Sequence, residues 1–450
     1  MIHRKCLWLL AGVIFLLNSC KDQYQTPLEK ADFSKLTKNK ELTDYIKKVS
    51  AQNSYISAEF FTDVQKGFTI PLVKIKKQET EEKKKLKIFI FAQQHGNEPS
   101  GKEGALLLIK QFATNELEYL LDKMEIWILP QVNPYGGDHN QRRNEANIDL
   151  NRDHLIMKTE EVQLLHNTFR EFLPEITIDV HEYYPYRESW ENFGYLKQFD
   201  IQMGCVININ IDTAIQMYSK EKFIPGVGQS VEDQGYSFFE YTLGSLPAKE
   251  RLRHSTVDIN DGRQSFGIQN TMSFIIEGLN GKDSVCLLER RAKSQHAVLK
   301  AMLDFAYAHT GEILEIVHNA RQQLFDTKIR RRIGVRLEHV SNKDTLIYPL
   351  HSINSKKDTL FKVTEYHSRV IPLYEITEPQ SYLIPKNDSL LVSIAEKHDI
   401  RMNEFTKTNA NVYAYQITEF KKDTVEELLT YNPVLKRIEI SADTLAGKYF

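Results

Sequence analysis

LKIFIFAQQHGNE, residues 86–98, is the stretch on which the fold turns. Leu86 to Phe91 is apolar except for Lys87, about the length of one buried strand. A polar turn follows, and from Gly104 to Phe112 the apolar residues fall at helical spacing. The same alternation continues outward. Met124 to Val132 (MEIWILPQV) reads as a strand. Val162, Leu165, Phe169 and Phe172 mark one helical face, Ile176 to Val180 and Met272 to Ile276 are further strands, and Ala292 to Tyr307 is a long helix. Alternating strands and helices predict an α/β fold, a mixed, mostly parallel sheet flanked by helices. Upstream, Leu42, Tyr45, Ile46 and Val49 share a helical face, and Phe60 to Phe61 and Ile70 to Ile75 read as strands. The charged run Lys76 to Lys87 reads as a solvated hairpin loop.

Past about residue 318 the character changes. Arg332 to His339, Thr345 to Leu350, Lys362 to Tyr366 and Tyr382 to Ile384 look like short strands, with helical stretches near Leu390–His398 and Val425–Tyr431. The reading is a main domain over 33–318 and a smaller β-rich part over 319–450. A chain of 450 residues has room for both. Its 41% apolar and 26% charged content suits a globular protein, and a net charge of −2 leaves no basic excess for nucleic acid.

The first residues stand apart. Arg4 and Lys5 precede an apolar run, Leu7 to Leu17, too short for a spanning helix. Leu17-Asn18-Ser19-Cys20 resembles a bacterial lipoprotein lipobox. The resemblance implies a signal peptide over 1–19, a lipid on Cys20, a polar tether over 20–32, and a place at the cell envelope, periplasmic or on the outer-membrane surface. Of four cysteines only Cys205 and Cys286 would then remain, able to pair or to sit as apolar residues. Two cysteines are too few for a knuckle, so a zinc site needs His and carboxylates.

Such a set exists. His95 and Glu98 follow the strand that ends at Phe91, and Gly96-Asn97 between them tolerates the turn that would aim both at one ion. With 14 histidines in the chain about one His-x-x-Glu is expected by accident, and His309-Thr310-Gly311-Glu312 is a decoy. Strand context favours the first pair, because His181 also sits at a strand end. His, Glu and His are ligands for a catalytic zinc. Asp149 and Asp179 are available to orient ligand imidazoles. Glu277, after Phe274-Ile275-Ile276, is placed for proton transfer. Arg142, Arg143 and Asn151-Arg152 could hold an oxyanion or a substrate carboxylate. His139, His154, His166 and His254 are read as structural.

HGNE (95–98), NPYG (133–136), RRNEANIDLNRD (142–153), DVHE (179–182) and FIIEG (274–278) stand in an order that resembles the zinc carboxypeptidase family, over roughly residues 86–290. The resemblance implies one zinc on His95, Glu98 and His181, with Asp149 orienting His95. It implies Asn151 and Arg152 on a terminal carboxylate, Arg142 rather than Arg143 polarising the carbonyl, and Glu277 as general base and then acid for attack by zinc-activated water. It also implies a substrate-pocket Tyr, for which Tyr236 and Tyr241 are candidates. Asp153-His154 departs from the Asn-Phe of many relatives. The implied activity is removal of a C-terminal residue from peptides. Trimming of cell-wall peptides by an amidase is an alternative, and a catalytically inactive peptide-binding lipoprotein is a third reading.

Overall fold

A computed structural model of the chain describes residues 23–450 apart from 78–83, 245–251, 326–329, 344, 407–408 and 426–427. Residues 1–19 and Cys20 lie outside the described residues.

Two strands, β1 (Ile56–Phe61) and β2 (Ile70–Ile75), lead into β3 (Leu86–Ala92), β4 (Met124–Leu129), β5 (Ile176–Tyr183), β6 (Ile201–Cys205), β7 (Phe238–Glu240) and β8 (Met272–Leu279). Together they form one sheet in the order β1-β2-β4-β3-β5-β8-β6-β7. The central four, β4-β3-β5-β8, run parallel. The flanking pairings β1/β2, β2/β4 and β8/β6 are antiparallel, and β6/β7 is parallel.

Burial of both faces explains why the central strands are apolar almost without interruption. Ile88, Ile90 and Ala92 enter one core with α1 (Asn39–Gln52), α2 (Ser100–Ala113), α4 (Ile224–Asp233), α6 (Leu288–Ala308) and α7 (Thr310–Leu324), whereas Phe89 and Phe91 enter the other with α3 (Glu160–Phe172) and α5 (Gly262–Gly267). After β3 the chain steps to one side to make β4, then returns past β3 to make β5. That reversal opens a crevice beyond the carboxyl ends of β3 and β5, the position where α/β sheets bind ligands.

Several sequence-based expectations need correction. The charged segment 76–87 joins strands that are not neighbours, since β2 pairs with β4 and not with β3, and its residues 78–83 lie outside the described residues. The polar 20–32 segment is not a free tether from Gln23 on. Pro27–Lys30 forms a helical turn with a Thr26/Glu29 capping box, Leu28 is buried, and Glu29 pairs with Lys110 at 2.5 Å. The boundary near 318 falls inside α7. Beyond it, Arg332–Val340 pairs with Arg369–Thr377, and Leu346–Ser352 pairs with Asp358–Val363. Leu346–Ser352 also pairs with Tyr195–Leu196 of the main domain, and Trp190, Phe199, Tyr348 and Leu350 share one apolar cluster. The C-terminal part thus packs its strands Leu346–Ser352 and Asp358–Val363 on the main domain. Its helix α8 (Ser389–Lys397) forms as expected. Of Tyr382–Ile384, Ile384 exchanges backbone hydrogen bonds with Phe450 and no strand forms. In place of a helix, Leu428–Tyr431 pairs with Lys422–Val425 in the hairpin of Val412–Val425 and Leu428–Ile440, with 426–427 outside the described residues. Cys205 and Cys286 are both free.

Candidate metal centre

The loop after β3 is held before any ligand is considered. Gln93 takes a left-handed conformation, φ 57°, and its amide donates to the Gly96 carbonyl at 2.9 Å. Asn133 caps the turn Pro134–His139 by accepting from the Gly136 N–H and donates to the Gln94 carbonyl. Gly96 lies directly on Gly136: a Cβ at 96 would stand 2.0 Å from the Gly136 carbonyl carbon. The NPYG segment thus serves as the bed of the HGNE loop.

On this bed His95 Nδ1 lies 2.8 Å from Glu98 Oε1, His181 Nδ1 lies 2.8 Å from Glu98 Oε2, and the two Nδ1 atoms are 3.1 Å apart. All three residues are buried, and they form a group able to hold a metal. Each Nε2 is turned outward to an acid, His95 to Asp149 at 3.0 Å and His181 to Asp179 at 2.8 Å. An Nε2–H donated to a carboxylate leaves the Nδ1 lone pair facing the centre, the tautomer a metal needs. Lone pairs converging in a buried space call for a cation among them. This donor set fits zinc.

The electrostatics agree. Burial disfavours the Glu98 charge, but His95 and His181 outweigh it and hold the carboxyl well below its usual range. Asp149, likewise disfavoured by burial, is held low by His95, Arg142 and Arg152.

Arg142 donates from Nε to Asp149 Oδ2 at 3.0 Å, with Nη1 3.4 Å from Glu98 Oε1, and keeps 42% of its side chain exposed. Arg143 instead donates to the Asn147 carbonyl of its own loop. Asn151 is buried: its Nδ2 stands 3.2 Å from His181 Nε2, and its Oδ1 accepts from the Gly262 N–H that opens α5. Arg152 is exposed, with one N–H on the Asn151 carbonyl.

The departure at Asp153-His154 is structural. Asp153 accepts from the backbone of Lys158 and Thr159, and His154 joins Gln94 to His166. Burial pushes the His154 ring down to about 4. The decoy pair His309–Glu312 is a 3.8 Å surface contact at the α6/α7 junction.

β5 and β8 pair in parallel, His181 opposite Glu277. The Tyr241 hydroxyl bonds the Glu277 carboxylate. Of the two tyrosines that sequence reasoning left open, Tyr241 is the one at the site, while Tyr236 lies against the Arg290 guanidinium.

Residues 42–171 match the family model described as zinc carboxypeptidase. Over that segment the chain is similar to zinc carboxypeptidases. The matched segment holds His95, Glu98, Arg142, Asp149, Asn151 and Arg152 and stops before His181 and Glu277, which the sheet brings in. Among curated relatives, the chain is 27% identical over 303 residues to carboxypeptidase 2 of Trichophyton rubrum, covering 65% of this chain and 56% of that one. It is 26% identical over 305 residues to a protein of Trichophyton verrucosum named a probable carboxypeptidase 2, covering 65% and 58%. The chain thus spans little more than half the length of these relatives. Among solved structures, a metallo-carboxypeptidase from Burkholderia cenocepacia aligns with 17% identity and a TM-score of 0.48, covering 61% of this chain and 71% of that one. Carboxypeptidase A from Helicoverpa armigera aligns with 13% identity and a TM-score of 0.48, covering 61% and 75%.

One support of the centre is the acid beside His181, which the sequence leaves open between a supporting group behind the ligand and a solvated charge. Glu182, next to His181, points to the other side of the strand. It accepts from the Ser100 N–H at the start of α2 and from Arg291 at 2.7 Å. Arg291 spends its remaining N–H groups on the carbonyls of Leu279, Ser284 and Cys286 and on Asn280. Arg291→Met leaves Glu182 buried without its cation, and the expected loss is about 3–5 kcal/mol of stability. Denaturant unfolding checks it: Glu182→Met added to Arg291→Met should recover part of the loss.

Proposed function

We propose that this chain is a zinc-dependent metallocarboxypeptidase that hydrolyses the C-terminal amide bond of peptides, with one zinc per chain. One observation carries the reading: two imidazole Nδ1 atoms and the Glu98 carboxylate converge, each Nε2 is fixed by an acid, and Glu277 lies one strand away at the same level. Zinc on His95, Glu98 and His181 would supply a Lewis acid for the scissile carbonyl and lower the pKa of water. Glu277 takes the proton of the attacking water and returns it to the leaving amine. Arg142, anchored on Asp149, offers its exposed N–H groups to the developing oxyanion. Arg152 takes the substrate's terminal carboxylate. Asn151, whose Oδ1 is fixed by the Gly262 N–H of α5, joins Arg152 on that carboxylate.

Amidating the C-terminus of a good peptide substrate removes the charge that Arg152 reads and is expected to abolish turnover. Assay of matched free and amidated peptides checks this, and equal rates would remove the exopeptidase reading.

The lipobox-like Leu17–Cys20 stretch supports a lipid anchor at Cys20 and residence at the cell envelope. That setting makes cell-wall peptides the second substrate class. Turnover of muropeptides without turnover of ordinary peptides would move the assignment there.

A further inference from the structure

Beside Glu277 stands a group of polar side chains that the proposed reaction leaves unused. Gln202 of β6 lies directly opposite Glu277 of β8 in the antiparallel pairing, so both side chains leave the sheet on the same face. Gln202 is fully buried, and neither its amide nitrogen nor its amide oxygen has a hydrogen-bond partner among the described residues. A buried amide with two N–H donors and a free oxygen is costly to leave unmatched.

Two residues along β6, Gly204 leaves this face bare, and Tyr241 fills the space. A Cβ at 204 would stand 3.2 Å from the Tyr241 Cβ and Cδ1. The next residue, Thr242, accepts at its carbonyl from Lys197 Nζ at 3.0 Å. That is the ammonium's one hydrogen bond among the described residues, although it has three N–H groups to give. The Trp190 and Tyr348 rings flank Lys197 at 5.4 and 5.8 Å, and the Tyr348 hydroxyl is tied to Thr242 Oγ1 at 2.8 Å. The charges Lys197 senses are Arg187 and Glu277.

We propose that Lys197 and Gln202 form an acid-reading end of the substrate pocket, which takes the side-chain carboxylate of a C-terminal glutamate or aspartate. The inference rests on the carboxypeptidase reading above and names its substrate class. A buried ammonium without a paired acid is unfavourable, and an arriving carboxylate relieves that cost. Burial and the nearby Arg187 push the Lys197 amine down to about 7, which an anionic ligand would reverse. The Gln202 amide can donate a second bond to the same carboxylate, and the aromatic walls exclude water, which strengthens both contacts.

The zinc-loaded protein would be assayed on peptides that differ only in their last residue: glutamate, glutamine, leucine or lysine. Glutamate should exceed glutamine and leucine in kcat/KM by about 10–100-fold, the range of a charge-assisted hydrogen bond. In Lys197→Met that ratio should collapse toward one, and Lys197→Arg should restore part of it. A wild-type preference for leucine or lysine overturns the proposal, and so does a Lys197→Met protein in which all substrates fall together with the ratio intact. Calorimetric binding of free L-glutamate against L-leucine provides the separate arm. Glutamate binding that weakens in Lys197→Met, in a protein that cleaves no peptide, keeps the pocket and removes the carboxypeptidase reading. No glutamate preference in either assay removes the pocket.

Discussion

Glu277→Gln is expected to lower peptide turnover by about 10²–10⁴-fold, the usual contribution of a positioned general base, with bound zinc unchanged at one per chain. Gln keeps the shape and cannot accept the proton. Burial, with the Glu98 charge adding and the His181 charge opposing, raises the Glu277 carboxyl to about 7. The base works only when ionised, so kcat/KM should fall as pH drops through the pKa of that carboxyl. A cation on the three ligands favours the carboxylate and moves the limb below 7. The limb should vanish in Glu277→Gln. A pH series of kcat/KM for both proteins, with metal analysis, is the measurement. A variant that keeps a tenth of the activity and the same acid limb would take Glu277 out of the reaction.

His181→Ala should cost more, because it removes a metal donor. Removing only the acid behind a ligand typically costs about 10–100-fold in affinity or activity, which is the expectation for Asp179→Asn. His181→Ala should lie beyond that range in both zinc retention and turnover. Zinc content after dialysis, followed by activity with added metal, ranks the two. If Asp179→Asn lost as much metal as His181→Ala, the acid would be a ligand in its own right.

The centre was legible because its donors follow short apolar strands, and strand ends are places where a sheet presents side chains to a crevice. β6 was not seen: Ile201-Gln-Met-Gly-Cys205 is short, polar at one position and carries a glycine, so it has no clean period. Gln202 and Lys197 were missed with it, since a lone lysine in a loop looks like a solvated charge. The Val425–Tyr431 stretch holds Glu and Leu, good helix formers, yet cross-strand pairing of Leu428–Tyr431 with Lys422–Val425 overrides that local preference. Thr26 and Glu29 could have warned that the supposed tether begins a helical turn, because Thr-x-x-Glu is a cap signature.

The strand Tyr195–Leu196 is completed from the far end of the chain by His351 and Ser352. Lys197, the very next residue, therefore gets its address from a segment about 150 residues downstream. Shortening the chain at the main-domain boundary would not trim an ornament. It would unmoor the wall of the proposed substrate pocket, and in chains of this architecture the preferred last residue is expected to travel with the tail as well as with the catalytic core.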